Sequence, residues 1–437
     1  MMFIKEPTII DYNSASINKK FPDLNLYTEY KAKIKNLINQ INSLIELIEN
    51  KLNRLKELTN DINNQNSSIE NNPLSNIYQK SKDIIELKLK EGQSFIKIQL
   101  LDCVKQLNIF INVIEFSKPG DLIEIQQSIE QNETCLAIAF NKNNTLMISG
   151  SGENIKLWKI IDGIIEEKNL LLYGHTKLVT CLVFTNEDKY FISGGEDGEI
   201  RIWKKLQPNV WQSTKLAVFS KGVIGVLYNH SNQQIISIGK DPLIKIIEIN
   251  QQKTMKIIQT LDQHESALHC ICMDESETQM ASSDFNKCIM IWIKERNGNW
   301  QLKQKVNQST GDYFGRMVFI NKQTIICQQW SKPISQVFCE ENGQFIQQPK
   351  LEIILSNNSS EDEDLFPTIY NQNNGILIQK HGQYVYILKR QVDTQFAQIY
   401  WPIEFQDQYI YGNLTNNGNC LVIWNFRTKK IQRYSLI

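Results

Sequence analysis

The sequence predicts a mainly β fold, a ring of repeated four-stranded units, preceded by an α-helical coiled-coil region. Three observations carry this expectation. Apolar residues recur at alternating steps of three and four from Leu24 to Ile62. The period changes at residues 117–121 (SKPGD), after which short β-branched and aromatic runs alternate with Asn, Gly and Asp turns. Those runs recur as seven similar strand triplets. Steps of three and four mark a helix, short runs between turn residues mark strands, and self-similarity at a fixed spacing marks a repeat architecture.

The helical part comes first. Leu24, Tyr27, Lys31, Ile34, Ile38, Ile41, Ile45, Ile48, Leu52, Leu55, Thr59 and Ile62 take the a and d positions of a coiled coil. Residues 1–23 are read as a tail and 24–64 as the coiled coil, a helix of about 40 residues and roughly 60 Å. Leu37, Leu44 and Leu58 widen the apolar stripe beyond what a two-stranded seam needs. After an Asn/Ser-rich break and Pro73, the steps resume at Leu100, Val104, Leu107, Ile111 and Ile114, so 65–117 is read as a second helical segment. A helical hairpin within the chain and a homo-oligomer through 24–64 both fit this pattern.

Composition narrows the function classes. Lys+Arg and Asp+Glu are both 47 in 437 residues, so no global basic field points to nucleic acid. The opening MMFIKEPTII lacks the features of a signal peptide. Residues 95–116 form the most apolar stretch, but Lys97, Asp102, Lys105 and Glu115 interrupt it, so membrane insertion is not expected. Nine cysteines without a CxxC pair suggest free thiols in a reducing, cytoplasmic setting.

Residues 118–437 are read as the β domain. Its inner-strand runs are CLAIAF, CLVF, GVLY, CICM, RMVF, PTIY and PIEF, beginning at Cys135, Cys181, Gly225, Cys270, Arg316, Pro367 and Pro402. The third runs are NIKLW, EIRIW, LIKII, CIMIW, ISQVF, YVYIL and CLVIW. Starts about 35 to 50 residues apart match the four-stranded blade of a propeller. Two runs compete to close the ring as the outer strand of the seventh blade, TKKIQRYSLI at the C-terminus and LIEIQQSIE before the first repeat.

At residues 174–203, GHTKLVTCLVFTNEDKYFISGGEDGEIRIW, the chain resembles the WD40-repeat family. The resemblance covers roughly Ile123 to Ile437 and implies a seven-bladed β-propeller. His175 to Trp203 and His264 to Trp292 are both 28 residues apart, whereas the third repeat has Ile247 in place of Trp and the last three lack Gly-His. The family pattern implies a buried hydrogen-bond network of His175, Ser193, Asp197 and Trp203, repeated as His264, Ser282, Asn286 and Trp292. A catalytic triad is the rival reading of His, Ser and Asp, but geometry rather than composition defines a triad.

The sequence carries no GxxxxGK[ST], no HExxH and no nucleophile elbow, so an enzyme is not expected. No cofactor and no metal site are expected either. Cys135, Cys181 and Cys270 share one repeat position, which packing explains. The N-terminal region has only Cys103 where a zinc module would need Cys/His pairs.

In WD40 proteins, peptide contacts often come from the residues three and five after the repeat histidine and from the one before the network Asp. Carried onto this chain, the resemblance implies a partner-binding face of Glu196, Lys240, His269, Phe285, Tyr313, Trp330, Phe366 and Trp401, rich in aromatics and open to a protein or peptide ligand. The acidic run at 359–364 is read as a solvated loop. The expected function is a non-enzymatic scaffold or adaptor. Its rivals are a client-recognition adaptor of the cytosolic iron–sulfur targeting type and a structural component of a cytoskeletal or coat assembly.

Overall fold

Runs of Val, Ile, Leu and aromatic residues, cut by Asn, Gly and Asp turns, form thirty strands in seven antiparallel sheets among the described residues. The computed structural model describes residues 125–436 except 186, 251, 307–311, 356–361, 364 and 392–394, and adds Ile123, Asn39 and Ser43. The expected tail, coiled coil and second helical segment lie outside the described residues, apart from Asn39 and Ser43, which are helical and exposed. The strands belong to a compact unit that runs from Pro119 to Ile437.

Each sheet is one blade, and the first strands of the earlier blades pack on one another around the centre. Blade 1 runs outward from Ile138–Phe140 to Ile164–Leu172 and blade 2 from Val179–Phe184 to Val210–Ala217. Blade 3 runs from Val223–Asn229 to Met255–Leu261 and blade 4 from Leu268–Met273 to Trp300–Val306. Blade 5 begins at Phe314–Asn321, blade 6 at Ile369–Asn371 and blade 7 at Ile410–Leu414. The second strands are buried end to end, as in Tyr190–Gly195 and Gln279–Asp284, because neighbouring blades cover both faces. The outer strand of blade 2, by contrast, alternates between exposed and half-buried residues.

The inner strands of blades 2 to 5 share one irregularity. Their register slips between Val179 and Cys181, Val223 and Gly225, Leu268 and Cys270, and Phe314 and Arg316. A bulge leaves one residue unpaired and re-aims its side chain. The residues so placed are Thr180, Ile224, His269 and Gly315.

The seventh blade corrects the expected strand assignment. The run at Pro402 is not an inner strand: Ile403–Glu404 pairs with Tyr384 and Val385 at the outer edge of blade 6. The inner strand is Ile410–Leu414, whose Gly412 admits the close neighbour strand. A Cβ there would lie 2.5 Å from the Val422 carbonyl oxygen. CLVIW therefore lies in the second strand, Cys420–Asn425, and the C-terminal run forms the third, Lys430–Ser435. The fourth is Ile125–Glu130, paired with it from Ile125 opposite Tyr434 to Glu130 opposite Lys430. Both competing runs are thus used, and the one before the first repeat closes the ring.

Candidate functional site

The repeat polar residues form chains of hydrogen bonds inside the blades. In blade 2, Ser193 Oγ lies 2.7 Å from His175 Nε2 and accepts the Trp203 indole N–H at 2.9 Å. His175 Nδ1 lies 2.9 Å from the Asp197 carboxylate. That carboxylate also accepts the backbone N–H groups of Thr176 and Glu199 at 2.9 and 3.1 Å. Burial holds His175 below its ordinary pKa, although Asp197 pulls the other way. Burial pushes Asp197 up, but the Thr176 N–H and the His175 side chain outweigh it and hold its carboxyl low. Gly195 makes this arrangement possible, since a Cβ there would sit 2.7 Å from His175 Nδ1. His175 and Ser193 are buried, and each spends its polar atoms inside the network.

Blade 4 builds the same set with a different carboxylate. His264 Nδ1 lies 2.7 Å from Asp284, Nε2 lies 2.6 Å from Ser282 Oγ, and Trp292 donates to that oxygen at 2.8 Å. Asn286, expected at this position from its spacing, is exposed and takes no part. Asp284 stands at the end of the second strand, in the place of Gly195, and its carboxylate accepts the Cys288 N–H across the turn at 3.0 Å while meeting the histidine.

Other blades use substitutes. In blade 1, Gln131 accepts from Ser149 Oγ at 3.1 Å, and Trp158 donates to Ser149 at 2.9 Å. At the junction of blades 5 and 6, Arg316 and Lys380 both bond the Asp362 carboxylate, and all three are buried, so this member of the acidic run at 359–364 is not solvated as expected but neutralised inside the fold. Burial would raise the Asp362 pKa, but the two cations hold it low. Burial brings Lys380 down to about 8.

The residues expected on the partner face divide into three groups. His269, Phe285, Tyr313 and Trp330 come together as one aromatic patch across blades 4 and 5. The His269 ring lies 3.7 Å from Phe285 and stacks on Tyr313 at 4.7 Å and 11°. Tyr313 and Trp330 stack at 5.4 Å. His269 is the bulged residue and is buried, Phe285 is 47% exposed, and Tyr313 and Trp330 are half-buried. The same end of the ring carries Glu196 and Lys240, paired at 3.2 Å between blades 2 and 3. A repeated backbone bond aligns these turns: Glu196, Lys240, Phe285 and Trp330 donate to the carbonyls of Leu178, Gly222, Ala267 and Tyr313 at 2.9 to 3.1 Å.

Phe366 and Trp401 do not belong to this face. Phe366 is fully buried in the core between blades 6 and 7, and its carbonyl accepts Arg316 Nε–H at 2.5 Å. Trp401 lies between Phe396–Gln398 and Ile403–Glu404, on the outer edge of blade 6. Their place in blade 7 is taken by a pair that sequence reasoning missed. Phe426 donates its N–H to the Tyr409 carbonyl at 3.0 Å, the same bond as in the other blades. The two rings lie 5.9 Å apart, are 42% and 43% exposed, and Lys429 Nζ sits 3.6 Å above Phe426. Their signal in the sequence was the phase of Trp424, which had to be read as second-strand rather than third-strand.

Comparison with known proteins agrees with this architecture. Residues 124–159, 167–204 and 255–292 match the family described as WD domain, G-beta repeat. Protein ROOT INITIATION DEFECTIVE 3 of Arabidopsis thaliana is 30% identical over 139 residues, 29% of this chain and 31% of that protein. Jouberin of Mus musculus is 24% identical over 164 residues, 36% of this chain and 15% of that protein. THO complex subunit 6 homolog of Danio rerio is 35% identical over 78 residues, 18% of this chain and 23% of that protein. The matches thus span less than a third of each of these relatives. A chain in the crystal structure of the Mitotic Checkpoint Complex shares the fold, with a TM-score of 0.59 at 11% identity, covering 73% of this chain and 94% of that one.

Proposed function

Because this chain carries WD40 repeats and forms a seven-bladed propeller, we propose that it is a non-enzymatic scaffold that binds a protein partner on the end of the ring bearing the aromatic patch. The observation that carries this reading is the contact set of His269, Phe285, Tyr313 and Trp330. Aromatic side chains give large contact area at low entropic cost and dominate the energetics of protein interfaces. The bulge fixes His269 beneath the exposed Phe285, so the patch is preorganised rather than assembled on contact. The neighbouring turns add Glu196 and Lys240, which would act as a polar rim. Among similar proteins, one is named as a subunit of a complex, the THO complex, which fits a role within an assembly.

The His–Ser–Asp sets support a structural rather than a catalytic role. Each serine oxygen already meets a histidine and a tryptophan, and each set is buried inside its blade. Residues 24–64 would add oligomerisation or docking, and several propellers on one particle would bind with avidity.

The test is direct binding of the full chain to a partner identified by cross-linking in cells. Tyr313→Ala with Trp330→Ala should weaken that binding at least tenfold, while Ile346→Ala on an outer strand leaves it unchanged. Equal affinity in all three proteins would overturn the assignment of this face.

A further inference from the structure

The two complete histidine networks differ in what surrounds the carboxylate. In blade 2, Asp197 rises from the turn and is held by two backbone N–H groups. In blade 4, Asp284 comes from the strand end; its carboxylate meets His264 Nδ1 at 2.7 Å, accepts one backbone N–H, that of Cys288, at 3.0 Å, and borders a cavity of about 470 Å³. Glu265, Asp284, Asn286, Lys287, Cys288 and Lys305 line that cavity. The thiol of Cys288, a carboxylate oxygen of Asp284 and a ring nitrogen of His264 all lie within 4.8 Å of one another.

We propose that His264, Asp284 and Cys288 form a binding site for one divalent cation of the zinc class, entered from this cavity, with Glu265 completing the coordination. The donor chemistry sets the class. One imidazole nitrogen, one thiolate sulfur and one carboxylate oxygen suit a borderline-soft ion, whereas calcium and magnesium take oxygen donors. Bond lengths of about 2.0 to 2.3 Å in a tetrahedral shell place neighbouring donors about 3.5 Å apart, and the three donors here lie within 4.8 Å of one another.

The proton balance is simple. A cation on His264 Nδ1 takes the place of the proton shared with Asp284; the ring proton then sits on Nε2 and is donated to Ser282 Oγ at 2.6 Å, beside the Trp292 N–H, while the serine hydroxyl proton rotates away from the ring. That contact orients the ring, as outer-sphere partners of metal-bound histidines do. The Cys288 thiol gives its proton to solvent as sulfur binds. With thiolate and carboxylate both bound, the two charges of the cation are neutralised inside the blade.

Blade 2 offers a contrast. His175, Asp197 and Glu199 also lie within 4.8 Å of one another. There Glu199 is already paired with Arg201 at 2.8 Å and Lys215 at 2.5 Å, and the set has no sulfur. Both sites have two cations nearby, Arg201 and Lys215 in blade 2 and Lys287 and Lys305 in blade 4, so the thiol is what separates them. The pairing of histidine, strand-end carboxylate, thiol and cavity thus singles out blade 4.

The experiment is titration of the full chain with cobalt(II) alone, followed by zinc(II). Binding is expected at one equivalent, with a thiolate-to-cobalt charge-transfer absorption that zinc abolishes by displacement. Cys288→Ser should lose that absorption, and Cys339→Ser in blade 5 should keep it. Zinc should also raise the melting temperature of the wild-type chain. If Cys288→Ser does not fold, Glu265→Gln at the exposed rim serves instead and should weaken cobalt binding about tenfold. Absence of binding to the folded wild-type chain, or a charge-transfer band that survives in Cys288→Ser, would overturn the proposal.

Discussion

Trp424 donates its indole N–H to the carbonyl of Gln131, 3.0 Å away across 293 positions of sequence. That bond marks where the ring closes. Gln131 follows the strand Ile125–Glu130, which forms the outer edge of the blade that contains Trp424. The first strand of the propeller in sequence is thus the last one in space, and the two ends of the β region stabilise each other. A chain beginning at residue 118 should keep this closure, and one beginning at residue 132 should lose it. Each ladder hydrogen bond contributes about 1 kcal/mol, so the shorter chain should unfold several kcal/mol more easily in urea. Matching denaturation midpoints for the two chains would show that the closing strand contributes little.

The carboxylate exchange in blade 4 gives a second prediction. Asp284→Ala leaves His264 Nδ1 without its partner inside the blade, where an unpaired polar group costs roughly 1–3 kcal/mol. Asn286→Ala removes an exposed side chain and should change stability by less than about 0.5 kcal/mol. Ser193→Ala in blade 2 should resemble Asp284→Ala, because it strips a partner from both His175 and Trp203. Chemical denaturation of the three variants decides this. A larger loss in Asn286→Ala than in Asp284→Ala would restore the assignment expected from spacing.

These differences show what the sequence could and could not convey. Blades 2 and 4 were legible because a buried tryptophan, serine and histidine must meet, and their spacing repeats. The position of the acid was not, because spacing cannot tell a carboxylate on the turn from one on the strand end. Phe366 was misplaced for a related reason: an aromatic ahead of an inner strand can point to solvent or into the seam between blades, and Arg316 binding its carbonyl fixes the chain in the second state. The seventh blade was shifted by one strand because PIEF reads as an inner strand by composition, while the real one, IYGNL, carries Gly412 and Asn413. The aromatic patch was legible residue by residue in blades 4 and 5, where the bulge keeps its phase.

The buried pair of Lys380 and Asp362 makes stability depend on pH in a defined direction. The folded chain lowers Lys380 to about 8 from 10.5, through burial above all. Between those values the unfolded chain holds the proton and the folded chain does not, so this group makes stability rise with pH. The cost of burying its charge is fully present below about pH 8 and is relieved as pH rises towards 10.5. Lys380→Met removes the effect. The difference in stability between wild type and Lys380→Met should therefore shift in favour of wild type, by on the order of 3 kcal/mol across this window. Urea melts of both proteins at several pH values test it. A difference that stays constant from pH 7 to 10 would show that Lys380 titrates normally.

The blade 7 aromatics extend the proposed partner face beyond the residues that spacing suggested. Tyr409 and Phe426 hold the same backbone relation as Tyr313 and Trp330, and they are more exposed. A partner broad enough to span the end of the ring would meet both patches, with Lys429 offering a cation at the second. Truncating an aromatic anchor commonly costs 2 kcal/mol or more, while peripheral contacts cost little. Phe426→Ala and Tyr409→Ala should therefore each weaken binding of the partner found through Tyr313 and Trp330, by roughly tenfold. Trp401→Ala should leave that affinity unchanged, because Trp401 stands on the outer edge of blade 6. Titration calorimetry with the purified partner measures all three. Loss of affinity in Trp401→Ala alone would move the contact to the side of the propeller, along the outer strands.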